Sequence, residues 1–260
     1  MGQRAHVSLL PAIDDDASLF PPTVLVYGPG GDTASHQHHC IHLAIAREGR
    51  IELAVEGAAP LHAPGAYVGP DVPHAIRAAG AEVALLFVDP ESREGRALRR
   101  HAGGPAILLD DAARDRLLPH WPEAYGATRD EAFATAAFAA LGIDRQAPPA
   151  VLHPGVRRAL LVLRESDEAV SLQALAAAAG LSAGRLGHLF TEQIGIPPRR
   201  YLLWTRVQRA ARSIAEGRPI TEAAHGAGFA DGAHLSRTFR RMFGATPAEL
   251  ARNSRFVQAR

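Results

Sequence analysis

The chain has 260 residues, of which 47% are hydrophobic, and this length favours two domains. It contains no apolar run of about 18 residues and no continuous apolar segment at its N-terminus, so we expect neither a membrane span nor a secretory signal, and a cytoplasmic location. The single cysteine, Cys40, excludes an internal disulfide framework.

The net charge of +1 is unevenly divided along the chain. Residues 151–260 hold 16 arginines and 8 acidic residues and carry a net charge of +8, whereas residues 1–150 carry −7. A basic C-terminal half favours a polyanionic partner such as DNA, and an acidic N-terminal half does not.

The first half of the chain is predicted to be mostly β-structure. Residues 1–20 are expected to form a weakly ordered lead. From Thr23 to about Val88, short apolar segments alternate with Gly and Pro, which is typical of an all-β barrel or sandwich. The predicted strands are Val24–Tyr27, Ile41–Ile45, Ile51–Val55, Ala66–Val68 and Val83–Val88.

After Asp89 and Pro90 the pattern changes. Residues 91–100 are charged and predict a helical turn or loop, whereas 110–118 and 129–141 predict helices. The second helix is rich in small residues, and we expect both helices to mediate dimerisation. Residues 146–149 (Gln-Ala-Pro-Pro) predict a linker, and a further helix is expected from His153 or Pro154 to about Arg164.

One short pattern occurs twice in the second half. Asp231 is a good N-cap, and Leu235, Phe239 and Phe243 recur every four residues, which predicts a helix with one apolar face. Gly244 is suited to ending this helix. The same positions are found 49 residues upstream in Ser182, Leu186, Phe190, Ile194 and Gly195. The repeat predicts two helix-turn-helix units joined by a longer helix from about Arg199 to Glu216.

Residues 170–253 resemble the DNA-binding domain of AraC/XylS-type transcription regulators. The resemblance is carried by Gly180-Leu181-Ser182, the two Leu-x-x-x-Phe repeats, Tyr201, Arg206 and Gly228-Phe229. It implies that the two units enter successive major grooves on one face of the DNA, about 34 Å apart. Two departures stand in the first helix of the second unit, where Ala223 replaces a larger aliphatic residue and Gly226 costs about 1 kcal/mol relative to alanine.

Arginine is the commonest bidentate partner of guanine, so Arg185 and Arg237 are the predicted base-reading residues. Arg240 and Arg241 are predicted to bind phosphates. The two repeated helices that are predicted to contact DNA bases are called the reading helices below. The remaining candidates on their exposed sides are His188, Ala233 and His234.

A second motif lies in the predicted β-region, where the segment 36–42 reads His-Gln-His-His-Cys-Ile-His. On a regular strand, alternate side chains share a face, so His36, His38 and His42 would point one way, with Cys40 between them. His74 lies on a later strand that could pair nearby. Converging neutral imidazoles form a site for Zn, Ni, Cu or Fe. His39 is expected on the opposite, exposed face. Cys40 is expected to be a buried inert thiol, and the alternatives are a fifth metal ligand or a redox sensor.

The spacing of His36, His38, His42 and Gly49 is similar to the first cupin motif, with His42 in place of the usual Glu. Gly65, Pro70 and His74 resemble the second cupin motif, with one residue fewer between Pro and His. A cupin-like domain ahead of this type of DNA-binding domain is a familiar pairing in the family. This resemblance implies a sensor barrel that binds a metal or an organic effector.

The predicted fold class is therefore α+β: an N-terminal all-β cupin-like barrel followed by helices, then an all-α domain with two helix-turn-helix units. The predicted boundaries are 1–104 for the barrel, 105–146 for the helical dimerisation segment and 150–260 for the DNA-binding domain. We expect a non-enzymatic, homodimeric regulator of double-stranded promoter DNA that responds to a metal ion or a small molecule, with RNA polymerase as a further candidate partner. One alternative is a cupin metalloenzyme, such as a dioxygenase or isomerase, fused to a DNA-binding module. Another is a metal-free barrel that serves as an effector pocket or dimer scaffold.

Overall fold

A computed structural model describes residues 5–10, 23–122, 127–143, 151–166, 169–249 and 254–257. An N-terminal region of two β-sheets with packed helices precedes an all-helical C-terminal region, which confirms the predicted fold class. Among the described helices, none is long and apolar enough to cross a membrane.

The strands form one large and one small sheet. Their bounds are β1 Ala5–Leu10, β2 Thr23–Pro29, β3 Ile41–Ala46, β4 Ile51–Val55, β5 Leu61–Ala63, β6 Gly65–Val68, β7 His74–Arg77, β8 Glu82–Val88, β9 Ala106–Leu109 and β10 Ser254–Val257. The seven-stranded sheet has the order β10-β1-β2-β8-β3-β6-β9, and the three-stranded sheet has the order β5-β4-β7. All described pairings are antiparallel except that of β1 with β10, which is parallel.

The predicted weakly ordered lead over residues 1–20 is wrong for its middle part, because β1 pairs with β2 and β10. Residues 1–4 and 11–20 lie outside the described residues, as does the predicted linker at 146–149. Strand β10 pairs with β1 and so belongs to the N-terminal sheet. This pairing is non-local, and no periodicity in the sequence predicts it.

Helices of the N-terminal region pack on the large sheet. They are α1 Arg93–Ala102, α2 Asp111–Leu117 with a 3-10 turn at Leu118–His120, and α3 Ala127–Ala140. Phe133 and Phe138 of α3 are buried in one core with Leu43 and Leu86 of the sheet.

The segment 105–146 is therefore not only helical, since β9 lies near its start and pairs with β6. Because the apolar face of α3 is used inside the domain, dimerisation through these helices stays a prediction. The charged residues 91–100 fall largely in α1, which Ser92 caps by accepting from the Gly95 amide.

In the described part of the C-terminal region the helices are α4 Pro154–Glu165, α5 Leu172–Ala179, α6 Ala183–Ile194, α7 Pro198–Ala215, α8 Ile220–Gly226 and α9 Gly232–Phe243. They enclose two cores, one built on α4, α5 and α6, and one built on α7, α8 and α9. The second core also contains Cys40 from the N-terminal region, with Phe87 of β8 packed against it. The two regions thus share an apolar contact, and this contact positions the candidate site.

Candidate functional site

The two reading helices α6 and α9 begin and end in the same way. Ser182 and Asp231 cap them by accepting from the amides of Arg185 (3.2 Å) and His234 (2.6 Å), three residues on. Gly195 (φ 99°) and Gly244 (φ 70°) end them in the left-handed conformation. The sequence repeat is therefore a structural repeat.

Each reading helix buries one face and exposes the other. Leu186 and Phe190 of α6 and Leu235 and Phe239 of α9 are buried. All seven predicted DNA contacts are exposed: Arg185, His188, Ala233, His234, Arg237, Arg240 and Arg241. Arg240 additionally forms an ion pair with Glu249, with 2.9 Å between nitrogen and oxygen.

Two arginines of the connecting helix α7 tie it to both units. Arg209 donates to the carbonyls of Leu163 (2.9 Å) and Ser166 (2.7 Å) at the end of α4. Arg206 donates to the carbonyl of Gly228 (3.4 Å) in the turn before α9. These donors satisfy carbonyls at and just after helix ends, which lack partners within their own helix. Both units are thus fixed to one rigid element.

Three of the predicted metal ligands converge. One ring nitrogen each of His36, His38 and His74 lie within 4.8 Å of one another, and the three side chains are 6%, 2% and 1% exposed. Paired backbone hydrogen bonds of 2.9 Å join His36 and His74 across an isolated β-bridge. The prediction that His74 lies on a strand near His36 is thus confirmed, since His74 is the first residue of β7.

Backbone carbonyls fix the tautomer of all three imidazoles. The Nδ1 atom of His36 lies 2.8 Å from the Ala34 carbonyl, and that of His74 lies 2.8 Å from the Val72 carbonyl. The Nδ1 of His38 lies 3.1 Å from the carbonyl of Cys40. A carbonyl only accepts, so each Nδ1 carries the proton and each Nε2 presents a lone pair.

The environment keeps these rings neutral. Burial lowers the pKa of His38 well below its usual value, and His74 and His36 lower it further. Burial and then His36 lower the pKa of His74 to about 4. The Nε2 atom of His38 is buried and has no hydrogen-bond partner among the described residues. Three converging neutral imidazoles are what a divalent transition metal requires.

His42, the fourth predicted ligand, lies beside this group and differs from it. Its Nδ1 is 3.4 Å from the Nε2 of His74, and its ring stacks on Phe87 at 4.4 Å between centroids. Its Nε2 is buried without a partner among the described residues. A role for His42 as a fourth ligand remains a prediction.

The expectation for His39 is wrong, because this side chain is 3% exposed. Its Nδ1 lies 2.6 Å from Asp71 and its Nε2 lies 3.3 Å from Glu91. Burial lowers the pKa of His39, but the two carboxylates outweigh burial and raise it to about 9. Residues 37–40 do not form a regular strand, so side-chain alternation does not apply to them.

The same carboxylates bind α7, a connection that the sequence did not reveal. The hydroxyl of Tyr201 donates to Glu91 over 3.4 Å, and Arg200 pairs with Asp71 at 3.2 Å. The ring of Tyr201 also meets that of His39 edge-on at 5.4 Å between centroids. A buried polar network thus joins the N-terminal region to the helix between the two reading units.

Cys40 is buried, and burial raises the pKa of its thiol well above the usual value. It is therefore protonated, in line with an inert thiol. Its sulfur lies 3.1 Å from the Nδ1 of His38.

A cavity of about 210 Å³ lies between the histidine cluster and the helical region. Gln37, His38, His39 and Asp71 line it from the N-terminal side, and Arg200, Leu203, Trp204, Arg241 and Met242 line it from α7 and α9.

Comparison with known proteins identifies the helical region. Residues 175–253 match the family model described as a helix-turn-helix domain. The chain is 37% identical over 84 residues to the transcriptional activator RhaS of Escherichia fergusonii, covering 32% of this chain and 30% of RhaS. It is 34% identical over 79 residues to LumQ of Photobacterium leiognathi, named as a probable transcriptional regulator, covering 30% of this chain and 32% of LumQ. The match thus spans about a third of these relatives, and it shows a helix-turn-helix DNA-binding domain.

The fold of the whole chain is similar to that of ToxT from Vibrio cholerae. An apo variant of ToxT aligns with a TM-score of 0.63 and 11% identity, covering 89% of this chain and 97% of ToxT. Another ToxT structure, with an unsaturated fatty acid bound, aligns with a TM-score of 0.57 and 11% identity, covering 96% of this chain and 94% of ToxT. At this identity the likeness concerns the fold alone: an N-terminal β-domain and a C-terminal helical domain.

Proposed function

We propose that the chain is a transcription regulator of the AraC/XylS type, in which the helix-turn-helix domain binds promoter DNA and the N-terminal domain senses a metal ion. The observation that carries the DNA-binding part is the duplicated, capped helix with an apolar back, whose second copy, α9, exposes Arg237, Arg240 and Arg241. Arg209 ties α7 to the end of α4 in the first unit, and Arg206 ties it to Gly228 before α9 in the second unit.

In this proposal, α6 and α9 each enter a major groove. Arg185 and Arg237 contact guanine, and Arg240 and Arg241 contact phosphates. Arg240 exchanges its exposed ion pair with Glu249 for a phosphate at little cost, because such surface pairs contribute only about 0–1 kcal/mol.

The test is selection of bound fragments from a genomic library by the full chain, followed by fluorescence anisotropy over a range of salt concentrations. We expect a steep loss of affinity with salt, since phosphate contacts release counterions. Absence of any salt-dependent, sequence-selective binding would rule out this function.

The effector proposed for the N-terminal domain is a divalent transition metal held by His36, His38 and His74. Support comes from three buried imidazoles whose ring nitrogens converge, each with a carbonyl at its Nδ1. Zinc, nickel, copper and iron accept such a nitrogen set. A protein of this kind acts as a homodimer when its operator has two half-sites, and RNA polymerase is its natural partner in activation.

Two observations favour this effector over the alternatives. The adjacent cavity, of about 210 Å³, is smaller than the roughly 300–1,000 Å³ of pockets for drug-sized ligands. The three imidazoles are nearly inaccessible, whereas a metalloenzyme needs an open position that a substrate can reach.

Elemental analysis of the untagged full chain and zinc titration against a competing chelator test the metal. We expect one ion per chain in the wild type. Turnover of a substrate by the loaded protein would favour the enzyme instead, and binding of an organic effector by metal-free protein would favour the metal-free pocket.

A further inference from the structure

The histidine cluster is covered by the end of a DNA-reading helix. Phe243, the last residue of α9, lies 5.7 Å from His38 between ring centroids, and it also meets Phe87 at 6.2 Å. Gly244, which ends α9, lies directly against His36: a Cβ added there would be 3.1 Å from the Nδ1 of His36 and 3.0 Å from the carbonyl oxygen of Ala34. The ligands and the reading helix are therefore in direct contact.

We propose that a divalent ion bound by His36, His38 and His74 clamps the C-terminal end of α9 onto the N-terminal domain and thereby weakens DNA binding. This inference rests on the proposed metal site, and it adds how occupancy of that site reaches the DNA-binding face.

An ion would fix the separations of the three rings. Nitrogens bound tetrahedrally to zinc at about 2.0–2.1 Å are about 3.4 Å apart, and the candidate ligand atoms of the cluster lie within 4.8 Å of one another. His36 and His38 are the rings that touch Gly244 and Phe243. The rings that an ion would hold are thus in direct contact with the end of α9.

The helix dipole determines whether a bound ion strengthens or weakens the contact between α9 and the N-terminal domain. The C-terminal end of an α-helix carries a partial negative charge of about half an electron. The end of α9 faces neutral imidazoles in the metal-free protein and would face a dication in the loaded one. Loading therefore strengthens the attraction between α9 and the N-terminal domain.

Clamping also withdraws a DNA contact. Arg241 of α9 lies on the wall of the cavity whose opposite wall includes Asp71 and Gln37 of the N-terminal domain. A clamp that holds α9 against this cavity would keep Arg241 beside the N-terminal domain and away from phosphate. Coupling of this type commonly changes affinity by about 5-fold to 150-fold, and DNA would lower metal affinity by the same factor.

Two glycines provide a matched pair of variants. Gly244 and Gly195 end α9 and α6 with φ of 70° and 99°, so alanine is strained at both. A Cβ at Gly244 meets atoms of the 33–36 segment at 3.0–3.1 Å, whereas a Cβ at Gly195 meets only the Arg99 guanidinium at 3.9 Å. Gly244→Ala therefore pushes α9 away from the cluster, and Gly195→Ala controls for the backbone strain.

The experiment measures hydrogen exchange of residues 239–244 and the Kd for a selected DNA fragment, with the full chain, with and without one equivalent of zinc. We expect zinc to slow exchange in this segment and to weaken DNA binding at least 5-fold in the wild type and in Gly195→Ala. In Gly244→Ala we expect zinc still to bind and both effects to shrink. His38→Ala should show neither effect.

The outcomes separate the two proposals. Failure of zinc to bind the wild type would remove the metal site and, with it, the clamp. Stoichiometric zinc binding with unchanged exchange at 239–244, or with tighter DNA binding, would overturn the clamp alone. A Gly244→Ala response equal to that of Gly195→Ala would also overturn it.

Discussion

Phe243 packs on His38 across the boundary between the two regions, with 5.7 Å between ring centroids. Phe243 ends α9, a candidate DNA-recognition helix, and His38 is a candidate metal ligand. Through this contact, a change at the histidine cluster acts directly on the end of α9. It also means that the helical region covers the histidine cluster, since Gly244 lies against His36.

The proposed metal site predicts that removal of one ligand lowers the affinity for zinc, whereas removal of a histidine elsewhere does not. His38→Ala should weaken zinc affinity by more than about 100-fold, because even second-shell changes commonly cost 10-fold to 100-fold. Competition titration against a chromogenic chelator measures this. The control is His62→Ala, since His62 is 62% exposed and lies on β5. Equal losses in both variants would count against the site.

The DNA-binding surface predicts two kinds of arginine effect. Arg237→Ala should cost about 1–3 kcal/mol on the selected sequence and relax specificity there. Arg241→Ala should weaken binding to all sequences alike and reduce the salt slope by about 1. Arg100→Ala, an exposed change on α1, is the control and should leave the Kd unchanged. Sequence-independent weakening by Arg237→Ala would reassign that residue to a phosphate.

The polar network between the regions predicts a stability effect. Burial raises the pKa of Tyr201, so its hydroxyl is protonated and donates to Glu91. Tyr201→Phe should lower the free energy of unfolding by about 1 kcal/mol, as expected for one hydrogen bond. Urea denaturation measures this. Adding Glu91→Gln should give less than the sum of the two single effects, because both changes remove the same bond. Strict additivity would show that the pair does not interact.

Two neighbouring glycines should respond in opposite directions to alanine. Gly226 ends α8, and a Cβ there meets nothing within 4 Å, so Gly226→Ala should stabilise the chain by up to about 1 kcal/mol. Gly228 has φ of 80°, and a Cβ there would lie 2.5 Å from that of Ala169, so Gly228→Ala should destabilise it. Thermal unfolding of both variants tests this, and a shift of the same sign in both would contradict it.

Sequence by itself determined the reading units, because their signals are local. The N-caps Ser182 and Asp231, the four-residue apolar spacing and the terminal glycines act within one helix, so they can be recognised without knowing what the helix packs against. The sequence also identified His36, His38 and His74 as candidate metal ligands, since they are unusual in number and spacing. The core strands were found for the same reason, through their short apolar runs.

Only the tertiary structure decided what surrounds these residues. His39 became buried because Asp71 and Glu91, 32 and 52 residues away, supply its partners. His42 was set apart from the other three because the segment before β3 is irregular, and alternation requires a regular strand. The placement of Phe243 and Gly244 over the cluster depends on contacts between residues about 200 positions apart. Such contacts arise from the packing of whole domains and leave no periodic trace in the chain.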